Sequence, residues 1–334
     1  MLHNRPDNTK IANTLIALMV CAVLFIVGLF VFYPYHPTDY ATISGTRVIT
    51  TNQVTHEATG FGTGSARVDS QITLKIPQGQ AQEVYQYLKN KYSGKSNIMK
   101  DQFPSINING QPQDDMSIFT DEYYDTPKLD LYNNQNSTRH RTRVNTTNPE
   151  DRKSGRELVQ VKVTPPGKFD IRTELKFEVK PPKNAQPGGD DNHPLLHLVK
   201  SDQRIDFKNV FKDAGLDPFT LKKIFTIRQT RSRVYINMDT QNIMSFSVDE
   251  GGAGILWASA QFSSVDVGLV EVAYTEAGAQ KREMMWNIRD ALVKDLKKQF
   301  PDLIVNNDSK YGIILDALIQ KIHVIPLLIK WRFL

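Results

Sequence analysis

Beyond Asp69, apolar and polar residues alternate in one short segment after another. In QITLKI, Gln71, Thr73 and Lys75 stand on one parity and Ile72, Leu74 and Ile76 on the other. ELVQVKV sets Gln160 and Lys162 against Val159, Val161 and Val163, and RTELKFEVK sets Arg172, Glu174, Lys176 and Glu178 against Thr173, Leu175, Phe177 and Val179. STRHRTRV, TRSRVYIN, MSFSVDE and GLVEVAY repeat the pattern. Side chains of a strand alternate between two faces, so a period of two predicts strands with one apolar face.

Helical spacing is rarer. It predicts helices over Gln80 to Tyr92, within His193 to Ala214, where Phe207, Val210 and Phe211 are apolar, and most clearly over Ala279 to Phe300, where Met285, Ile288, Leu292 and Leu296 recur. Strands interleaved irregularly with a few helices predict an α+β fold on an antiparallel sheet. The hydrophilic stretches Asn145 to Arg156 and Lys180 to Asn192 read as loops.

A different pattern governs the beginning of the chain. Ile11 to Tyr35 is an apolar run without charge, long enough to cross a bilayer as a helix. It lacks the short apolar core and small-residue cleavage site of a signal peptide, so it reads as an uncleaved single-pass anchor. Arg5 and Lys10 precede it and the nearest following charge is Asp39, which places residues 1–10 in the cytoplasm and the globular part on the non-cytoplasmic side. The expected organisation is a cytoplasmic start at 1–10, a transmembrane anchor at 11–35, a linker at 36–67, one domain at 68–320 and an apolar tail at 321–334. The tail is interrupted by Pro326 and Lys330, and packing on the domain is the expectation for it.

Composition narrows the chemistry. Of the 334 residues 40% are hydrophobic, enough for a sizeable core, and the formal net charge of +5 favours anionic partners without singling out nucleic acid. The one cysteine, Cys21, lies in the apolar run, which excludes disulfides, thiolate catalysis and cysteine metal sites from the folded part. His193 and His197 have metal-ligand spacing, but Pro194 intervenes and no third ligand is near, so solvent-facing histidines are expected. Trp257, Trp286 and Trp331 read as core or interface residues, since no basic strand surrounds them, and no nucleic-acid partner is expected.

The polar parity is unusual in its cations. Arg139, Arg141, Arg143, Lys162, Arg172, Arg231 and Arg233 all fall on it. Gathering them is costly unless carboxylates or an anion lie between them, and arginine suits bidentate contact with phosphate oxygens. Two arrangements remain open: an open sheet with its charged face in water, or a sheet closed on itself with the charged faces lining a tunnel.

YYDTPKLDLY, then STRHRTR, ELVQVKVTPP, RTELKFEV, FSVDEG, LVEVAY and the late DSKY, in that order, resemble the motifs of the triphosphate tunnel superfamily, which includes the CYTH proteins and VTC-like polyphosphate polymerase domains. The resemblance covers about Val68 to Leu315. It implies an eight-stranded antiparallel barrel with flanking helices, whose lumen binds a tri- or polyphosphate. It also implies phosphate contacts from Lys75, Arg139, Arg141, Arg143, Lys162, Arg172, Arg231 and Arg233, and Mg²⁺ or Mn²⁺ held by Glu174 and Glu271 with Glu178 or Asp249. Gln71 and Thr73 stand where CYTH proteins carry glutamates, as do Lys176 and Ala273.

Three functions are compatible with these motifs. The first is a membrane-anchored enzyme that cleaves or transfers the terminal phosphoryl group of a tri- or polyphosphate with a divalent metal, as a triphosphatase or a polymerase-like phosphotransferase. The second is a binding module that keeps the basic tunnel and has lost the chemistry. The third is an envelope structural protein whose charged strands are solvated.

Overall fold

The computed structural model describes residues 65–94, 98–104, 106–113, 116–145, 156–164, 171–180, 189–255, 258–270, 277–306 and 308–332. The expected anchor at Ile11 to Tyr35 lies outside them, and among the described residues no helix is long and apolar enough to cross a membrane. The described residues up to Ile322 belong to one compact unit.

The alternating segments fold as strands, except GLVEVAY, of which Gly268 and Leu269 end a strand and Glu271 to Tyr274 lie outside the described residues. In chain order they are β1 (Ser65–Lys75), β2 (Ile108–Pro112), β3 (Ser117–Asp125), β4 (Ser137–Asn145), β5 (Arg156–Val163), β6 (Ile171–Glu178), β7 (Lys222–Met238), β8 (Gln241–Ile255), β9 (Ala258–Leu269) and β10 (Ile304–Val305). The described helices are α1 (Ala81–Tyr92), the one-turn α2 (Asp130–Asn133), α3 (Arg204–Asp213), α4 (Ala279–Gln299) and α5 (Lys310–Arg332). α1 and α4 match the helical spacing almost residue for residue, whereas only the second half of His193 to Ala214 is α-helix.

All strand pairs are antiparallel, in the order β10-β1-β6-β5-β4-β3-β7-β8-β9, with β2 alongside β7. β1 has three neighbours, with β10 alongside Leu74 and Lys75. Ser65 to Ser70 pair with β6 and Gln71 to Lys75 pair with β9, so both ends of the strand order meet on this one strand. Where β7 and β8 approach, a Cβ on Gly251 would lie 2.5 Å from the Arg228 carbonyl oxygen, closer than any side chain tolerates.

The outward parity makes two cores. Leu74, Ile236, Phe246 and Val265 are buried under Val84 and Leu88 of α1 and Met285, Ile288, Leu292 and Leu296 of α4. Tyr92 stacks on Phe246 at 5.3 Å. On the other flank, Val159, Val161, Leu175 and Phe177 lie under Phe207, Val210 and Phe211 of α3. His193 belongs to this flank, contrary to the expectation of a solvent-facing ring. Its Nδ1 accepts the backbone N–H of Leu195 and Leu196 at 3.2 and 3.1 Å, and Nε2 lies 3.0 Å from the Leu221 carbonyl. Burial, the largest influence, lowers its pKa, which suits a neutral ring that donates at Nε2 and accepts at Nδ1.

The inward parity is not uniformly charged. Along β7 it runs Phe225, Ile227, Gln229, Arg231, Arg233, and the apolar half is covered by α5. Tyr311, Ile314, Leu315 and Leu318 of α5 pack on Tyr123, Phe225, Ile227 and Phe262 at spacings of three and four that place them on one helix face. The Tyr311 ring stacks on Tyr123 at 5.1 Å, and its hydroxyl donates to Asp125 at 2.8 Å.

Candidate functional site

Beside the apolar half, the inner face surrounds a cavity of about 490 Å³. Residues from β1, β3, β4, β5, β6, β7, β9 and the start of α5 line it. They meet there because each strand places alternate residues on this face: Gln71 and Thr73; Phe119 and Tyr123; Arg139, Arg141 and Arg143; Leu158, Gln160 and Lys162; Glu174 and Lys176; Arg231 and Arg233. Eight cationic side chains line the cavity against the carboxylates of Glu174, Asp266 and Asp308. Even with Asp121 and Asp249, which lie behind the cations, positive charge remains in excess.

Three groups of ion pairs brace the wall. Asp121, fully buried, accepts Nε and Nη2 of Arg141 at 2.6 Å each and Nη1 of Arg139 at 3.2 Å. Arg231 makes the same bidentate contact with Asp249, at 2.5 and 2.7 Å, and Lys310 bridges Asp249 and Asp266. Glu174 faces Lys176 at 2.9 Å and Lys162 at 3.5 Å. Gln160 joins the first group to the third, since its Oε1 accepts Nε of Arg139 at 2.7 Å while its Nε2 donates to Glu174. The Phe119 ring lies under three guanidinium groups, 4.4 Å from Arg141, 5.3 Å from Arg231 and 5.7 Å from Arg143.

Protonation follows the geometry. Burial alone would raise Asp121 and Asp249. Arg139 and Arg141 at Asp121, and Arg231 and Lys310 at Asp249, reverse this and hold both carboxyls below the usual range. Arg233 shows the opposite imbalance. Burial first, and then the neighbouring charges of Arg231 and Arg143, bring its pKa down to about 10. Among the described residues it makes a hydrogen bond to the Ser247 hydroxyl at 3.1 Å and pairs with no carboxylate.

Of the residues expected to contact phosphate, Arg139, Arg141, Arg143, Lys162, Arg231 and Arg233 line this cavity. Lys75 does not: it is exposed, in a separate open groove of about 1060 Å³ shared with Arg228 and Gly252. Arg172 lies opposite Asp69 of β1, and its side chain is outside the described residues. Of the residues expected to hold metal, the three that are described do not form one cluster. Glu174 is in the wall and Asp249 behind it, Glu178 is exposed beside Lys200 at 3.3 Å, and Glu271 lies outside the described residues. Among the described residues, no group of three or more His, Cys, Asp or Glu is placed to share an ion.

Sequence reasoning missed Asp121, Asp266 and the position of Lys310. Asp121 shares a parity with Phe119 and Tyr123 in SIFTDEYYD, and Asp266 shares one with Ser264 in SSVDVGL, so each was visible as an isolated acid on a strand. Lys176, which had no role as a metal neighbour, is the ion-pair partner of Glu174.

Fold and cavity together define the class: an antiparallel α+β protein whose sheet presents a cation-lined cavity on its inner face. No protein-family pattern and no curated protein matches the chain. Several solved structures are similar to it. PH1819 from Pyrococcus horikoshii is 10% identical, covering 74% of this chain and 98% of its own, with a TM-score of 0.42. HpAC1 from Hippeastrum, which has a dominant triphosphatase activity, is 12% identical over 75% of this chain and 95% of its own, with a TM-score of 0.43. The Pct1 RNA triphosphatase of S. pombe is 10% identical over 81% and 91%, with a TM-score of 0.31. At these scores the chemistry has to be read from the cavity itself.

Proposed function

We propose that the protein binds a linear tri- or polyphosphate in this cavity, with the strands wrapped as a tunnel around it. The observation that carries this reading is Arg233. A guanidinium partly buried beside Arg231 and Arg143, with a pKa lowered to about 10, is unfavourable unless an anion joins it. Phosphate oxygens supply that charge and accept in the fork geometry of arginine. A linear chain of phosphates suits cations contributed by β4, β5, β6 and β7 better than a single small anion does. The buried carboxylates fix the directions of Arg139, Arg141 and Arg231, so the site is organised before the ligand arrives.

The sharing of β1 between β6 and β9 supports the tunnel, because a strand order whose ends meet has no open edge there. The apolar run at 11–35 would hold the domain at a membrane, with the cavity on the non-cytoplasmic side. Protease treatment of intact cells tests that orientation, and protection of the domain would reverse it.

Calorimetric titration of the full-length chain with tripolyphosphate, with released phosphate assayed in the same samples, tests the binding. Saturable binding that weakens with salt supports the cavity as a polyphosphate site, and phosphate release would add phosphoryl transfer to its function. Absence of binding would return the charged strands to a structural role.

A further inference from the structure

Asp249 on β8 and Asp266 on β9 are the cavity's paired carboxylates, and all four of their oxygens already accept hydrogen bonds. Asp249 Oδ1 accepts Arg231 Nε at 2.5 Å, and Oδ2 accepts Arg231 Nη2 at 2.7 Å together with Lys310 Nζ. Asp266 Oδ1 accepts the Thr73 hydroxyl at 2.8 Å, and Oδ2 accepts Lys310 Nζ at 2.9 Å. Two carboxylates and two cations make this group neutral. A divalent ion requires oxygen lone pairs directed at it, and here it would face the ammonium of Lys310 and the guanidinium of Arg231.

The third acid of the wall is used in the same way. Glu174 is buried and accepts from Lys176, Lys162 and Gln160. Asp249, Asp266 and Glu174 are therefore taken by protein partners and do not fit a divalent ion, and Asp308, exposed before the start of α5, is a single carboxylate. Lys310 is held between the aspartates by its neighbour in the chain: it opens α5, and the next residue, Tyr311, is fixed by stacking on Tyr123 and by its hydrogen bond to Asp125.

We infer that Lys310 is the resident cation of this site, and that the cavity takes a linear polyphosphate as the free anion, without a divalent metal. The inference rests on the reading of the cavity as a polyphosphate site. It adds a specificity: Mg²⁺ or Mn²⁺ in solution, by complexing the phosphates, competes with the protein for the ligand.

The test is a pair of titrations of the full-length chain. The first adds tripolyphosphate in EDTA and then in excess Mn²⁺. The expected result is binding that is as tight or tighter in EDTA. An affinity at least about ten-fold weaker in EDTA, equivalent to about 1.4 kcal/mol, would overturn the inference. The second adds Mn²⁺ alone, followed by the loss of free-ion paramagnetic resonance signal, to the wild type and to Lys310→Met, whose neutral side chain fills the same space. The wild type should bind no Mn²⁺, and Lys310→Met should gain a site as Asp249 and Asp266 lose their shared cation. Mn²⁺ binding by the wild type would overturn the inference, and because the whole chain is titrated this outcome includes any contribution from Glu271. Should tripolyphosphate bind in neither buffer, the polyphosphate reading fails, while the Mn²⁺ titration still decides whether Lys310 excludes metal. The wild-type measurements do not depend on the variant folding.

Discussion

Arg141 grips Asp121 through two parallel hydrogen bonds, Nε to Oδ1 and Nη2 to Oδ2, each 2.6 Å. Asp121 has no exposure to solvent, and its Oδ2 also accepts Nη1 of Arg139 at 3.2 Å. Replacing the carboxylate with a neutral amide leaves two guanidinium groups crowded without compensation. Asp121→Asn should cost about 3–5 kcal/mol of stability in urea unfolding. Tripolyphosphate should recover part of the loss, since a bound anion replaces the missing charge. A variant as stable as the wild type would mean that solvent already screens these arginines.

Arg233 should behave in the opposite sense. It has no carboxylate partner among the described residues and is disfavoured by burial and by its like-charged neighbours. Arg233→Ala should therefore leave the melting temperature unchanged or raise it. Its ligand affinity should fall about ten-fold or more, the loss expected for a hydrogen bond between charged groups. Calorimetry and thermal unfolding on the same preparation separate the two effects. A parallel loss of stability and affinity would make Arg233 a structural residue.

Acid should loosen the wall through Asp249. Burial would raise its carboxyl pKa, but Arg231 and Lys310 hold it well below the usual range. The folded chain keeps this group ionised at a pH where the unfolded chain has taken up a proton. Its stabilising contribution is thus complete above about pH 4 and declines as the pH falls from there towards the folded-state value. Asp249→Asn should be less stable at neutral pH and show a flatter loss of stability in acid, followed by circular dichroism. Equal steepness in both proteins would place the acid sensitivity elsewhere.

The docking of α5 can be weakened without touching a charge. Leu318 is fully buried against the inner face, in the cluster with Phe225, Ile227 and Phe262. Leu318→Ala should cost about 2–5 kcal/mol. Hydrogen exchange should rise in α5 and at Lys310 before it rises in β4 and β5. Uniform acceleration over all strands would show instead that α5 unfolds only with the whole sheet.

Much of this architecture was legible in the alternation itself. A period of two in STRHRTRV, RELVQVKV and TRSRV fixed which residues share a face, and that is enough to bring Arg139, Lys162 and Arg231 into one cavity once the strands pair. Parity could not say where along a strand the charged face ends. Phe225 and Ile227 stand on the same parity as Arg231, and only the packing of α5 separates the apolar half from the cavity. Lys75 was misplaced for a related reason: it shares a parity with Thr73, but at its end of β1 the side chain is exposed, in the separate groove. The partners of the carboxylates were equally hidden. Nothing in a strand's period tells that the ammonium between Asp249 and Asp266 comes from a helix that begins 44 residues after Asp266.

The stacked rings of Tyr123 and Tyr311 stand at the border between the two halves of the inner face. On one side of these rings the inner face carries the cations of β4 and β7, and on the other it is the apolar cluster under α5. If the cavity takes the polyphosphate proposed for it, such a chain would meet these rings at one end and enter by its tip. Long and short chains would then differ only in what they leave outside, and at equal concentrations of chains the two should bind alike.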